Sequence, residues 1–298
     1  HGAPWPHDAG ELAQVTGLSV RSIRDIESGR VSEPRPSTVR LLAAALELRG
    51  AALEEFLRTT DVPATPTAPD PEPNQLGTRP AQLPPATAAF TGRINELASL
   101  DSILDRKDRS PAVCALFGTA GVGKTALALH WAHRSANRFP DGQLFINLSG
   151  SDPVRPAMTP VQALRVLLDA LHLSREQRPA DFTAQIGLYR SLLARRRMLV
   201  ILDDAASADQ VRPLLPGAPN CLVLVTSRSC LYGLVATEGA QVVPVDQLSM
   251  REACDLLVRR LGAERVADEP AAVEQLSSSC ARLPLALSIA AARAAVRP

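Results

Sequence analysis

Lysine is almost missing from this sequence. Of 32 basic residues only Lys107 and Lys124 are lysines and the rest are arginines, a bias that points to a GC-rich genome and makes a lysine inside a motif conspicuous. No apolar run approaches the roughly 18 residues that a membrane-spanning helix needs, which argues against a membrane span. Charge is nearly balanced at +1, so the chain as a whole has no electrostatic pull toward nucleic acid or membrane, and any nucleic-acid contact must come from a local patch. The five cysteines are scattered and odd in number, and no CxxC pair occurs, which argues against a disulfide framework or a zinc knuckle. Reduced thiols in a cytoplasmic protein are expected, with Cys114 and Cys221 acting as small hydrophobes inside apolar runs. No secretory signal stands at the start. Because the sequence opens on His1 instead of Met, it is read as a trimmed product. No internal repeat is found.

What is present is 46% apolar residues, ample for buried cores, in a length that predicts two or three domains. The clearest boundary is a stretch over 61–86 in which eight of 26 residues are proline, expected to be an extended, semi-rigid linker. It separates a helical module over 1–60 from a larger region, read as a nucleotide-binding domain over 87–246 and a helical subdomain over 247–298.

In the first module, Glu11–Thr16 reads as a short helix stopped by Gly17, and a second helix follows the N-cap residue Ser19 and runs to Ser28 before Gly29. Ser37 is read as the cap of a third helix reaching Leu48, and Ala51–Arg58 supplies a last one. The cadence is that of a helix-turn-helix. Leu18, Ile23 and Ile26 seat the second helix on the core, which leaves Arg21, Ser22, Arg24 and Asp25 facing outward to read base edges of DNA in the major groove. Arg30, Arg35 and Arg40 are candidate phosphate contacts. Residues 1–60 carry eight acids against seven arginines, and only Ser19–Arg40 is locally positive, so a helical adaptor that touches no DNA stays open as the alternative.

After the linker, apolar runs at Ala112–Phe117, Gln143–Leu148, Met198–Leu202, Cys221–Val225 and Gln241–Val245 alternate with helical spacing over Lys124–His133, Pro160–Leu171, Phe182–Arg195 and Ala208–Leu215. Alternation of this kind predicts an α/β fold, a doubly wound parallel sheet, and the near-continuous apolar runs predict strands covered on both faces. From Met250 onward only helices are expected.

Gly118-Thr-Ala-Gly121-Val-Gly123-Lys124-Thr125 fits GxxxxGK followed by Ser or Thr without a mismatch. Glycines let the main chain curl so that the N–H groups through Val122 and on to Ala126 point at phosphate oxygens, adding to the positive end of the next helix. Lys124 supplies a cation for the β- and γ-phosphates of ATP or ADP, and the Thr125 hydroxyl is a ligand for Mg²⁺. Met198–Asp204 then delivers two carboxylates to the C-terminal edge of the sheet. Asp203 is expected to hold Mg²⁺ and Asp204 to orient or deprotonate the attacking water, the alternative being that both acids cap the following helix. Arg228 ends another apolar strand and is placed to sense a γ-phosphate, with a surface ion pair as the alternative.

Taken together these motifs resemble the NB-ARC type of STAND ATPase, a switch class related to AAA+ proteins. More narrowly, the chain resembles bacterial transcriptional regulators that join a Cro/repressor-type helix-turn-helix to an NB-ARC module. Phe90-Thr-Gly92-Arg93-Ile-Asn-Glu96 is similar to the family's GRExE element, with Asn95 in place of its first acid, and the resemblance implies that Arg93 borders adenine and ribose. Leu283-Pro284-Leu285 is similar to the GLPL element, with Arg282 where the family has glycine. Pro284 is then expected on the base, a plain helix-entry proline being the alternative. No guanine-reading NKxD element is seen, so ATP is preferred to GTP. The family's winged helix with its MHD histidine, and a sensor region, are expected beyond the last residue.

The resemblance implies an ATP/ADP-switched regulator of transcription with slow hydrolysis as reset, a homo-oligomer in the ATP state, and roles such as control of antibiotic production. An ATP-gated scaffold that reads no DNA and a working AAA+-type ATPase remain open at this point. His130 and His133 have helical spacing that could mimic a metal site, but Trp131 beside them favours core packing. Arg195-Arg196-Arg197 is read as a helix end facing its dipole.

Overall fold

A computed structural model describes residues 12, 13, 16, 18–28, 36–46, 48, 56, 79–105, 112–154 and 156–296. The chain divides into two compact units, residues 1–76 and 77–298.

In the first unit, Val20–Glu27 forms α1, entered from Ser19, whose hydroxyl accepts the Ser22 N–H at 3.1 Å. Pro36–Ala45 forms α2. This helix starts one residue before the expected cap, because a proline already holds the φ of a first helical turn and has no N–H to satisfy. Leu12, Ile23 and Leu42 are the buried centre of this unit, with Leu18, Ile26 and Phe56 packed around them. Among the expected features, Gly17, Gly29, Arg30 and Arg35 and most of 47–78 lie outside the described residues.

The second unit is a five-stranded parallel sheet with helices on both faces. Its elements run α3 (Ile94–Leu104), β1 (Ala112–Phe117), α4 (Lys124–Ser135), β2 (Gln143–Asn147), α5 (Pro160–Ala170), α6 (Phe182–Leu193), β3 (Leu199–Ala205), α7 (Ala208–Val211), β4 (Leu222–Ser227), α8 (Tyr232–Glu238) and β5 (Gln241–Pro244). Four helices close the chain: α9 (Met250–Leu261), α10 (Ala263–Asp268), α11 (Pro270–Ser279) and α12 (Pro284–Val296). Sheet order is β2-β3-β4-β1-β5.

Two-residue alternation sorts the strand side chains between two cores. Leu144, Ile146, Val200, Leu202, Val223 and Val225 face α5 and α6, against Leu164, Leu167, Tyr189 and Leu193. Cys114, Leu116, Ile201 and Leu224 face α3 and α4, against Leu100, Leu127 and Trp131. Both faces are therefore dry, and every residue of β4 is buried. Burial pushes the Cys114 thiol up to about 12, so it behaves as a hydrophobe and not as a nucleophile.

Several boundaries differ from the sequence expectation for local reasons. The helix expected over Ala208–Leu215 is α-helical only to Val211 and tightens into a 3₁₀ turn over Arg212–Leu214, where Pro213 cannot donate an N–H. Strand β3 continues past Leu202 to Ala205, with its register to β4 shifting between those two residues. Helices α3 and α8 are not among those the periodicity predicts. Residues 79–86, at the end of the proline-rich stretch, are fastened to the sheet edge: Ala81 bridges Gln143, whose N–H donates to Pro80 O at 2.7 Å.

Candidate nucleotide-binding site

All five strands run the same way, so β1, β2, β3 and β4 deliver their last residues to one edge, with Phe117 beside Ser227 and Asn147 beside Asp203. A cavity of about 600 Å³ opens there, walled on one side by residues 120–126 and on the other by the closing helices. Gly123 has φ 98°, a left-handed conformation that costs a glycine little, and it turns the chain directly into α4. The positive end of that helix consequently faces the cavity.

Lys124 is largely buried, and its Nζ donates to Gly118 O at 2.8 Å and Thr119 O at 2.9 Å, so the ammonium lies across the loop it belongs to. Burial lowers its pKa first and nearby Arg228 second, against the upward pull of Asp204 and Asp203. Thr125 Oγ1 donates to Asp203 Oδ1 at 2.7 Å. Asp203 is 4% exposed and also receives Thr226 Oγ1 at 2.7 Å and Asn147 Nδ2 at 3.3 Å. These donors hold a carboxylate at a buried strand end, where an unbonded charge would be costly.

Asp204 has a left-handed backbone, φ 53°. Both of its oxygens are taken by Ser151, from the N–H at 2.9 Å and the hydroxyl at 2.7 Å, and its own N–H donates to Thr226 Oγ1 at 2.8 Å. Neither acid caps the following helix. Ser207 does, by accepting the Gln210 N–H.

Arg93 is 5% exposed. Its guanidinium donates to Glu96 at 2.8 Å and to the carbonyl of Val122, inside the phosphate loop, at 2.9 Å. Arg228 follows β4 directly and lines the cavity. From the opposite wall Leu285 N donates to Gly121 O at 3.2 Å, with Pro284 as the first residue of α12. Pro284 therefore opens a helix and lines the cavity at once. Asp203, Asp204, Thr125, Arg93, Arg228 and Pro284 are thus brought together around residues 118–126.

Sequence reasoning missed Asn147, Ser151, Thr226, Glu252 and Arg260. Thr226 carried a usable signal, since it precedes Ser227-Arg228 at a strand end. Asn147 and Arg260 are brought to the cavity only by the fold, and Ser151 and Glu252 act on it through Asp204 and Arg93. His130 stacks on Phe90 with ring centroids 4.0 Å apart, which accounts for its place on α4.

On α1, Arg21, Ser22 and Arg24 are exposed while Ile23 is fully buried. Arg21 lies 4.0 Å from Asp25, one turn on. All four residues expected to read bases are thus on one helix, three of them exposed and Asp25 half-buried. Of the phosphate candidates, Arg30 and Arg35 lie outside the described residues, and of Arg40 only the helical backbone is described.

The family model described as NB-ARC domain matches residues 94–266, and one described as helix-turn-helix matches residues 9–53. The chain is 41% identical over 266 residues to regulatory protein AfsR of Streptomyces griseus, covering 89% of this chain and 26% of that protein. It is 31% identical over 198 residues to the putative HTH-type transcriptional regulator Rv0890c of Mycobacterium tuberculosis, covering 60% of this chain and 20% of that one. The chain thus spans about a quarter of the length of the curated relatives it matches. Among solved structures it resembles the Walker-type ATPase PABY2304 of Pyrococcus abyssi, with TM-score 0.51, 15% identity, and 74% and 71% of the two chains covered, a likeness of fold alone.

Proposed function

The chain belongs to the NB-ARC family, and from that premise we propose that it is an ATP/ADP-controlled regulator of transcription. Residues 118–126 take the phosphates, with loop N–H groups and the α4 terminus as donors and Lys124 as the cation for the β- and γ-oxygens. Thr125 and Asp203 fit Mg²⁺. Their oxygens are 2.7 Å apart, close to the roughly 3 Å between neighbouring ligands of an octahedral ion with bonds of 2.0–2.1 Å. Mg²⁺ bound there supplies charge neutralisation at the phosphates. Arg228 faces the γ-phosphate, and Arg93 and Pro284 border the base and ribose. Asp204 orients the attacking water, because each of its oxygens keeps a lone pair beyond the one given to Ser151.

The observation that carries this function is the pairing of a helix-capped glycine loop with a buried carboxylate held 2.7 Å from its threonine. For the DNA half, support comes from the exposed side of α1 and from the regulators named among the relatives. ADP keeps the closing helices against the loop through Pro284 and Leu285. Exchange for ATP releases them and permits homo-oligomers, and slow hydrolysis resets the switch. The signal is read by a sensor region outside these 298 residues.

Isothermal titration calorimetry with Mg²⁺ and ATP or ADP tests the proposal. Binding is expected for the native chain, with a loss of about a hundredfold or more in Lys124→Ala from two charged phosphate contacts. A native chain that binds neither nucleotide, or a variant that binds both unchanged, overturns it.

A further inference from the structure

Between the closing helices and the strand-bearing part of the second unit, one carboxylate is shared by two structural tasks. Glu252 is the third residue of α9, and its Oε2 accepts the Ser249 N–H at 2.9 Å and the Ser249 hydroxyl at 2.8 Å, one half of a capping box. Its Oε1 reaches out of the helix and accepts the main-chain N–H of Arg93 at 2.8 Å. Thr91 Oγ1 adds a contact to the Glu252 carbonyl at 3.4 Å. The fit is close. At Gly92, which has φ 65°, an added Cβ would lie 2.0 Å from Glu252 Oε1, so a side chain there would displace the carboxylate as well as strain the backbone.

The contact does not stop at Arg93. That residue has a left-handed backbone, φ 62°, fixed from one side by Glu252. Its guanidinium continues to Val122 O in the phosphate loop. Farther along α9, Leu256 and Arg260 line the cavity one and two turns after Glu252, a spacing that puts all three on one side of the helix. The helix side that grips residues 91–93 is therefore also a wall of the nucleotide cavity.

We propose that Glu252 is the positioning residue through which α9 holds the phosphate loop in its binding geometry, by way of Arg93 and the carbonyl of Val122. The inference deepens the nucleotide-binding function proposed above and rests on it for its effect on ligand. When the closing helices turn away, Glu252 leaves Arg93, the strained residue is freed, and the loop loses a fixed support for its Val122 carbonyl. When they return, one charged acceptor restores the set.

The test compares Glu252→Ala, Gly92→Ala and Ser249→Ala in the whole chain. Release of Mg²⁺-ADP, followed by stopped flow, is expected to be about tenfold faster in Glu252→Ala, as befits loss of one charge-assisted hydrogen bond. Gly92→Ala is expected to resemble it, and the double variant to be less than additive, because removing the carboxylate removes the collision. Ser249→Ala removes the helix cap and one donor to Glu252 Oε2 but leaves Oε1 and its bond to Arg93 in place, so it is expected to leave release within about twofold, which separates positioning from helix stability. Hydrogen exchange of the ligand-free proteins gives a readout independent of nucleotide: amides over 90–96 and 118–125 are expected to exchange faster in Glu252→Ala and Gly92→Ala but not in Ser249→Ala. Exchange unchanged in all three, or equal effects from Ser249→Ala, overturns the proposal. A native chain that binds no ADP while exchange behaves as expected overturns the nucleotide function and leaves the linkage standing.

Discussion

Arg282 shows what a single side chain costs when the backbone is made for another. Ala281 and Arg282 have φ 48° and 53°, two left-handed residues in succession between α11 and α12. Their conformation aims Leu283 and Pro284 back at the phosphate loop and lets Arg282 O accept the Leu248 N–H at 3.2 Å. A side chain there costs on the order of 1–3 kcal/mol, whereas glycine costs little in the native state but loses somewhat less than about 1 kcal/mol through its freer unfolded chain. Arg282→Gly is therefore expected to stabilise the protein by roughly 1 kcal/mol, read as a higher urea midpoint at unchanged slope. A lower midpoint would show that the arginine side chain has a compensating contact. The departure from the family's glycine is visible in the sequence, but its physical meaning appears only with the backbone angles. The reverse holds for Lys124, Thr125 and Asp203, whose spacing and strand context already place them. Thr226 and Asn147, which fix Asp203 in place, become legible only through strand register, a relation between residues far apart in sequence.

At the scale of the element, α9 shows how a local signal can hide a distant one. Ser249 and Glu252 form a capping box at the start of α9. Nothing in that pattern discloses Arg93, 159 residues away, as the second partner. Burial of the Glu252 carboxyl raises its pKa. Hydrogen bonds from the Arg93 N–H and from the Ser249 N–H and hydroxyl, with the Arg93 charge, outweigh this and leave it below the ordinary glutamate value. Glu96 also bonds to the Arg93 guanidinium, so the locale holds one cation between two acids. A carboxyl with a depressed folded pKa stabilises the fold above its unfolded pKa, and that contribution disappears as the pH falls through the folded value. Glu252→Gln keeps the shape and removes the charge. Native protein is expected to melt above this variant at pH 7, with the gap closing below the ordinary glutamate range of about 4.3. Thermal melts across that interval check this, and a gap independent of pH would show that the carboxylate charge is not its source. The strands were the most legible elements, because burial on both faces leaves an unbroken apolar run. Helices α3 and α8 were not among those predicted, and Pro213 ended α7 sooner than its apolar spacing implied.

For the molecule as a whole, the two units have separate cores. Residues 77–298 have apolar clusters on both sides of the sheet and a third among the closing helices, centred on Leu257, Leu287 and Ala291. Residues 1–76 have their own, around Ile23. Among the described residues each cluster is built from side chains of its own unit, so the larger unit should not need the smaller to fold. Charge divides the same way. Residues 1–76 hold seven arginines against eleven acids, so general attraction to DNA phosphates is weak there, and the DNA binding proposed above would depend on the particular side chains exposed on α1. A protein beginning at Gly77 is therefore expected to unfold in one cooperative transition and to bind Mg²⁺-ADP within about twofold of the whole chain, since a change that touches no ligand contact moves affinity by only a few tenths of a kcal/mol. The same fragment is expected to recover no preferred sequence from a random DNA pool, while the whole chain does. Calorimetry on both proteins and sequencing of the retained DNA check the two halves together. Loss of nucleotide binding in the fragment would mean that the first unit completes the cavity, and enrichment of a sequence by the fragment would move DNA reading from α1 to the α/β unit.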